Sequence, residues 1–204
     1  MQIQLAIPWI NFLVLNIITI MCWWFYIRSV QPYTRAKQLG ELAWKIAKRD
    51  RFIAGILMFV IVINMIVWLW FPIQALAWLV NPNWLVSIFI GLILACIFTP
   101  IWIKGIKDAG KETMEPSPST ELYGGIYNYI RHPQAVGEMP WFVIIPLFLN
   151  SLFLVLWSTI MILTISPIII HYEEKDLIER FGDKYRKYQQ RTGAIFPKLR
   201  KPKD

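Results

Sequence analysis

Cysteine is nearly absent from this chain: Cys22 and Cys96 are the only two in 204 residues. Neither has another Cys or a His at metal-ligand spacing, which argues against a structural zinc site. Both sit inside apolar runs that would lie in the inner half of a bilayer, where a disulfide is not expected. They are read as small buried apolar residues. A glycine-rich dinucleotide fingerprint is missing, and so is any internal repeat. Acidic residues are few, 13 against 21 Lys and Arg. The cations are themselves missing from long stretches. Seven fall in residues 28–51, four in 104–131 and ten in 175–203, and the blocks between have none.

Those blocks are apolar, in a chain that is 56% hydrophobic and 15% aromatic with positive mean hydropathy. The pattern predicts an all-α, polytopic membrane protein. Basic segments alternating with apolar ones follow the positive-inside rule, placing the N-terminus outside and the C-terminus in the cytoplasm. Anionic headgroups account for the net charge of +8 without nucleic acid, so membrane lipids are the expected partners.

Residues 5–27 form a first span, and with no basic start or small-residue cleavage site a removable leader is not expected. Arg28, behind the aromatic cluster Trp23 to Tyr26, marks the inner interface. Residues 34–48 have an amphipathic pattern that predicts a surface connector, with Leu39, Leu42, Trp44 and Ile46 against the membrane and Lys37, Lys45, Lys48 and Arg49 toward lipid phosphate. Residues 52–71 make a second span and 84–103 a third, separated by the turn signal Asn81-Pro82-Asn83. Residues 105–123 read as a long polar loop of the kind that often serves as a lid. Residues 134–172 are too long for one span, and Asn150-Ser151 predicts a helical hairpin, giving about five transmembrane helices. Beyond it Leu177, Phe181, Tyr185 and Tyr188 trace one face of a cytoplasmic amphipathic helix. Residues 1–103 thus form an N-terminal transmembrane region and 104–204 the functional region.

Residues 125–138 combine Tyr127, Arg131, His132 and Glu138 between segments apolar enough for lipid, where ionisable groups are costly and usually functional. Pro133 fixes its own φ and starts a helix whose orphan N–H groups favour an anionic group. The order Gly125-x-Tyr127-x-x-x-Arg131-His132-Pro133, an apolar hairpin, then Glu173-Glu174-x-x-Leu177-x-x-x-Phe181-Gly182-x-x-Tyr185-x-x-Tyr188 and Pro197 resembles the integral-membrane methyltransferases, among them isoprenylcysteine carboxyl methyltransferases and phospholipid N-methyltransferases. The likeness spans residues 104–198.

The resemblance implies a methyltransferase that binds S-adenosylmethionine on the cytoplasmic side and acts on a lipophilic, prenyl- or phospholipid-like acceptor. Carried over by position, Leu122, Tyr127, His132, Pro133, Gln134 and Ala135 would line the cofactor and Glu173 would bond it. A carboxylate or thiolate acceptor would need no base; an amine would, with His132 or Glu138 available. Arg131 would grip an anionic group of substrate or cofactor. Three positions depart from the family pattern: Ala135 and Thr120 stand where tyrosine and histidine are common. Ile169 replaces an arginine of the prenylcysteine enzymes, which argues against a prenylcysteine carboxylate. Two rivals remain: an NADPH-dependent enzyme like the membrane sterol reductases, and a non-catalytic scaffold. No metal is expected.

Overall fold

The computed structural model describes residues 2–198, with side chains from residue 6 onward. Eight α-helices occur among these residues: α1 (Gln2–Ser29), α2 (Pro32–Leu39), α3 (Leu42–Val67), α4 (Trp84–Ala109), α5 (Pro133–Glu138), α6 (Trp141–Phe148), α7 (Leu152–Phe181) and α8 (Asp183–Arg191). Four segments are long and apolar enough to cross a membrane: Ala6–Ser29, Leu42–Val67, Trp84–Thr113 and Leu152–Phe181. Their outer faces expose large apolar side chains such as Ile20, Phe59, Leu85, Phe89 and Leu163, the surface expected of helices solvated by lipid. This is a multi-pass membrane protein.

The predicted hairpin is present. Asn150, with φ 52°, makes the reversal, and Ser151 caps α7 by accepting from the Leu154 N–H at 3.3 Å. The hairpin tip is tied to the link before α4: Leu152 N–H donates to the Trp78 carbonyl, and the Asn150 side chain bonds both backbone groups of Asn81. The first arm is the broken pair α5 and α6. At 1.5 Å per residue, residues 133–148 reach about 24 Å, short of the roughly 30 Å hydrocarbon layer. Because the arm is short, its leading residues His132 and Pro133 end up buried inside the bundle rather than beyond it. Gly137 lets α5 lie directly on α4, since a Cβ there would stand 2.3 Å from the Trp102 nitrogen.

Several boundaries differ from the sequence reading. The second span starts at Leu42 rather than residue 52, so the surface connector shrinks to α2. Trp44 is buried rather than lying on the membrane surface, because the Arg180 guanidinium stacks 4.9 Å from its ring; Leu39 and Leu42 do stay exposed. Cys22 is buried as expected, whereas Cys96 is exposed on α4. The C-terminal amphipathic stripe is divided between the end of α7 and α8, with Gly182 at φ 56° between them. Glu173 and Glu174 therefore lie within α7, not at the start of a new helix where its dipole would favour them.

The reason α3 begins early is a buried charge. Asp50 is fully buried and meets Arg28 of α1 at 3.0 Å, Arg35 of α2 at 3.6 Å and its neighbour Arg49 at 2.9 Å. One carboxylate thereby joins three helices. Removing it leaves partly exposed arginines facing one another, so Asp50→Asn is expected to destabilise the protein by on the order of 2–3 kcal/mol, less than a fully buried pair would cost. Thermal unfolding in detergent would show this as a lowered Tm.

Candidate active site

Three elements converge at the polar end of the bundle, where α1, α3, α4, α5 and α7 enclose a cavity of about 270 Å³. That is near the lower end of the roughly 300–1,000 Å³ of small-molecule sites. The first element is the turn before α5. Its backbone is held by a short parallel bridge to the C-terminal segment, in which Arg131 N–H donates to the Gly193 carbonyl (2.8 Å) and His132 N–H to that of Ala194 (3.1 Å).

The second element is the acidic pair on α7. His132 lies between its two carboxylates, Nδ1 3.1 Å from Glu173 Oε2 and Nε2 3.1 Å from Glu174 Oε1. Arg131 pairs with Glu174 at 2.7 Å and donates through Nη1 to the carbonyls of Thr192 and Gln189. The Gln189 amide donates to the other Glu174 oxygen at 2.9 Å. Glu174 is thus fully engaged. Among the described residues Glu173 has only His132 as a partner, and its side chain, on the cavity wall, is 36% exposed.

Burial of His132 disfavours its charge, but the carboxylates of Glu173 and Glu174 outweigh that and raise it to about 9 from 6.5. A folded value above the free one means the stabilisation is complete below about pH 6.5 and disappears as pH rises through about 9. The wild-type Tm should decline across that window, and His132→Asn should flatten the decline.

The third element is the loop over the cavity, residues 110–123. Arg51 of α3 donates to the carbonyls of Glu112 (2.7 Å) and Thr113 (3.1 Å), and Arg180 of α7 to those of Ser117 (2.6 Å) and Thr120 (2.8 Å). Two arginines thereby clamp the loop as a lid. Neither was singled out from the sequence, because each lies among other interfacial cations and its partners are about 60 residues away.

The comparisons with known proteins follow this geometry. Residues 86–184, which carry the first motif and the second from Glu173 to Gly182, match the family described as phospholipid methyltransferase. The chain is 33% identical over 153 residues to a methanethiol S-methyltransferase of Pseudomonas deceptionensis, covering 69% of this chain and 57% of that protein. It is 30% identical to proteins of the same name from a second Pseudomonas and from Bradyrhizobium diazoefficiens, covering 66% and 64% of this chain and 55% and 48% of theirs. Over residues 86–184 the chain is thus similar to the integral-membrane methyltransferases. It spans about half the length of these curated relatives. No solved structure matches it.

Against that family background, the structure places Leu122, Tyr127, Arg131, His132, Gln134, Ala135, Glu138 and Glu173 on the cavity wall. Pro133 is fully buried behind it, fixing the turn. Gln134 donates to the Tyr127 hydroxyl and to Thr113 Oγ1, both at 3.0 Å, joining motif and lid. Burial pushes the Tyr127 phenol above its ordinary range, so it stays neutral. Two of the departures from the methyltransferase pattern, Ala135 and Ile169, face the cavity and make that part of its wall apolar.

Proposed function

We propose that this protein is a multi-pass methyltransferase that uses S-adenosylmethionine and transfers its methyl group to a thiol entering from the apolar side of the cavity. The observation that carries this reading is the Glu173 carboxylate on a walled cavity, one oxygen held by His132 and the other open to a ligand. The donor has hydroxyl and ammonium groups that need such an acceptor, and its sulfonium needs surroundings that exclude water. His132 supports Glu173 from behind, and Glu174 and Arg131 support His132. On this reading Arg131 is a positioning residue rather than a substrate clamp, because its donors are already engaged by Glu174 and two carbonyls. Leu122, Tyr127, Gln134 and Ala135 would line the donor.

A thiol is favoured over a lipid headgroup by the names of the relatives and by the wall. Tyr26, Gly55, Met58, Trp102 and Ile169 suit a small apolar molecule, and the arginines of the cavity, Arg51, Arg131 and Arg180, are already engaged by lid carbonyls and Glu174. Methyl transfer is an in-line displacement, in which the protein's contribution is alignment and exclusion of water. A phospholipid amine is the second reading, supported by the family match. The basic flanks support a site on the cytoplasmic side. Detergent-purified protein given radiolabelled S-adenosylmethionine should methylate methanethiol in preference to a phosphatidylethanolamine micelle; label appearing in the phospholipid alone would reverse the choice of acceptor.

A further inference from the structure

The cavity has two chemically different ends. Toward the lid it is lined by charged and hydrogen-bonding groups, and toward the bilayer by the apolar wall just described. Glu138, the last residue of α5, is the acidic group on that apolar part. It is half-buried, and among the described residues it has neither an ion-pair nor a hydrogen-bond partner. Tyr26 of α1 lines the cavity with it. Arg51 of α3, Arg131 and His132 of the turn before α5, and Glu173, Asp176 and Arg180 of α7 line the same cavity, and α4 contributes the uncharged Trp102. A half-buried carboxylate costs free energy unless something offsets it. Nothing among the described residues does so by direct contact, so the offset falls to the ligand.

The other groups able to take a proton are already engaged. Both ring nitrogens of His132 are held at 3.1 Å by carboxylates, and the residue is 5% exposed. The Tyr127 hydroxyl donates to the Gly105 carbonyl and accepts from Gln134. Glu173 accepts from His132 and, on the reading above, from the donor. Sequence alone left His132 and Glu138 as equal candidates for a base; the geometry separates them.

We propose that Glu138 takes the proton from the acceptor molecule, and that the acceptor is a neutral thiol still carrying its proton when it binds. This rests on the methyltransferase reading. As the acceptor sulfur forms its bond to the methyl carbon, the bond from that carbon to the donor sulfonium breaks and its electron pair stays on the donor sulfur. The S–H proton passes to the Glu138 carboxylate. The products are a methyl thioether, S-adenosylhomocysteine and a protonated Glu138, which returns its proton to water through the cavity. A carboxylate acceptor would have no proton to give and would be repelled by Glu138.

General-base assistance contributes about 10²–10⁴-fold. Glu138→Gln should therefore lower kcat for methanethiol at neutral pH by at least about a hundredfold, with unchanged affinity for S-adenosylhomocysteine. The deficit should shrink as pH approaches the ionisation of the thiol, and should be smaller for thiophenol, a more acidic thiol. Glu138→Asp should recover part of the rate. Transfer by the wild type with an unimpaired Glu138→Gln variant overturns this proposal alone. So does a variant that also loses S-adenosylhomocysteine, or whose deficit is the same for both thiols at every pH. Wild-type protein that transfers no methyl group to any thiol overturns this proposal and the reading beneath it together.

Discussion

Glu173→Ala is expected to weaken binding of S-adenosylhomocysteine about 10- to 100-fold while the protein remains folded. A hydrogen bond to an ionised carboxylate contributes roughly 1.5–3 kcal/mol, and Glu173 is the member of the acidic pair with an oxygen still available to a ligand. His132 keeps Glu174 as a partner in the variant, which limits the structural damage. Glu173→Gln should fall between the two, because it retains an acceptor without the charge. Calorimetric titration of each variant gives the ratios directly, and equal affinities across the three proteins would remove Glu173 from the site.

Arg131→Ala should have the largest effect on the fold. Its guanidinium is 10% exposed and joins α7, through Glu174, to the end of α8 and the residues after it, through the carbonyls of Gln189 and Thr192. Removing it leaves the mostly buried Glu174 carboxylate to His132 and Gln189 alone and takes the donor from two carbonyls, at a cost of about 3 kcal/mol. For a chain of this size that corresponds to a Tm lower by roughly 10 °C. Protease should then cut the C-terminal segment ahead of the helices. Arg131→Lys should recover little, since an ammonium cannot reproduce the planar fork that meets the carboxylate and two carbonyls together.

Much of this architecture was legible in the sequence because it rests on local features. Long runs free of Lys and Arg gave the spans, Asn150-Ser151 gave the reversal, and Pro133 gave the start of α5. The meeting of the Arg-His-Pro turn with the acidic pair was legible because an apolar hairpin between two polar clusters must return the chain to the side it left. What sequence concealed was set by distant partners. Glu173 and Glu174 resembled a helix start because two adjacent carboxylates suit one; inside α7 they are tolerated because Arg131 and His132, some 40 residues earlier, neutralise them. Residues 42–51 looked like surface because they are highly charged, yet Asp50 is fully buried, its partners supplied partly by α1 and α2. Arg51 and Arg180 could not be told from ordinary interfacial cations, since their acceptors are backbone carbonyls of the lid and leave no mark on side-chain pattern.

The departures from the family pattern also gain a meaning that position alone did not give. Ala135 and Ile169 both open onto the cavity, so the losses of a tyrosine and an arginine occur on one wall and make it apolar. An altered acceptor accounts for both with one cause, whereas a site abandoned to a purely structural role would not be expected to keep Glu173 open or its lid clamped by two arginines.

The central claim is that two polar clusters, remote in sequence, enclose a sulfonium donor at one end of a membrane bundle. The most direct measurement is calorimetry of the detergent-purified wild-type protein, titrated separately with S-adenosylhomocysteine and with NADPH. Saturable, one-to-one binding of the first and no heat from the second is the predicted result. Binding of NADPH alone, or of neither ligand, would contradict it.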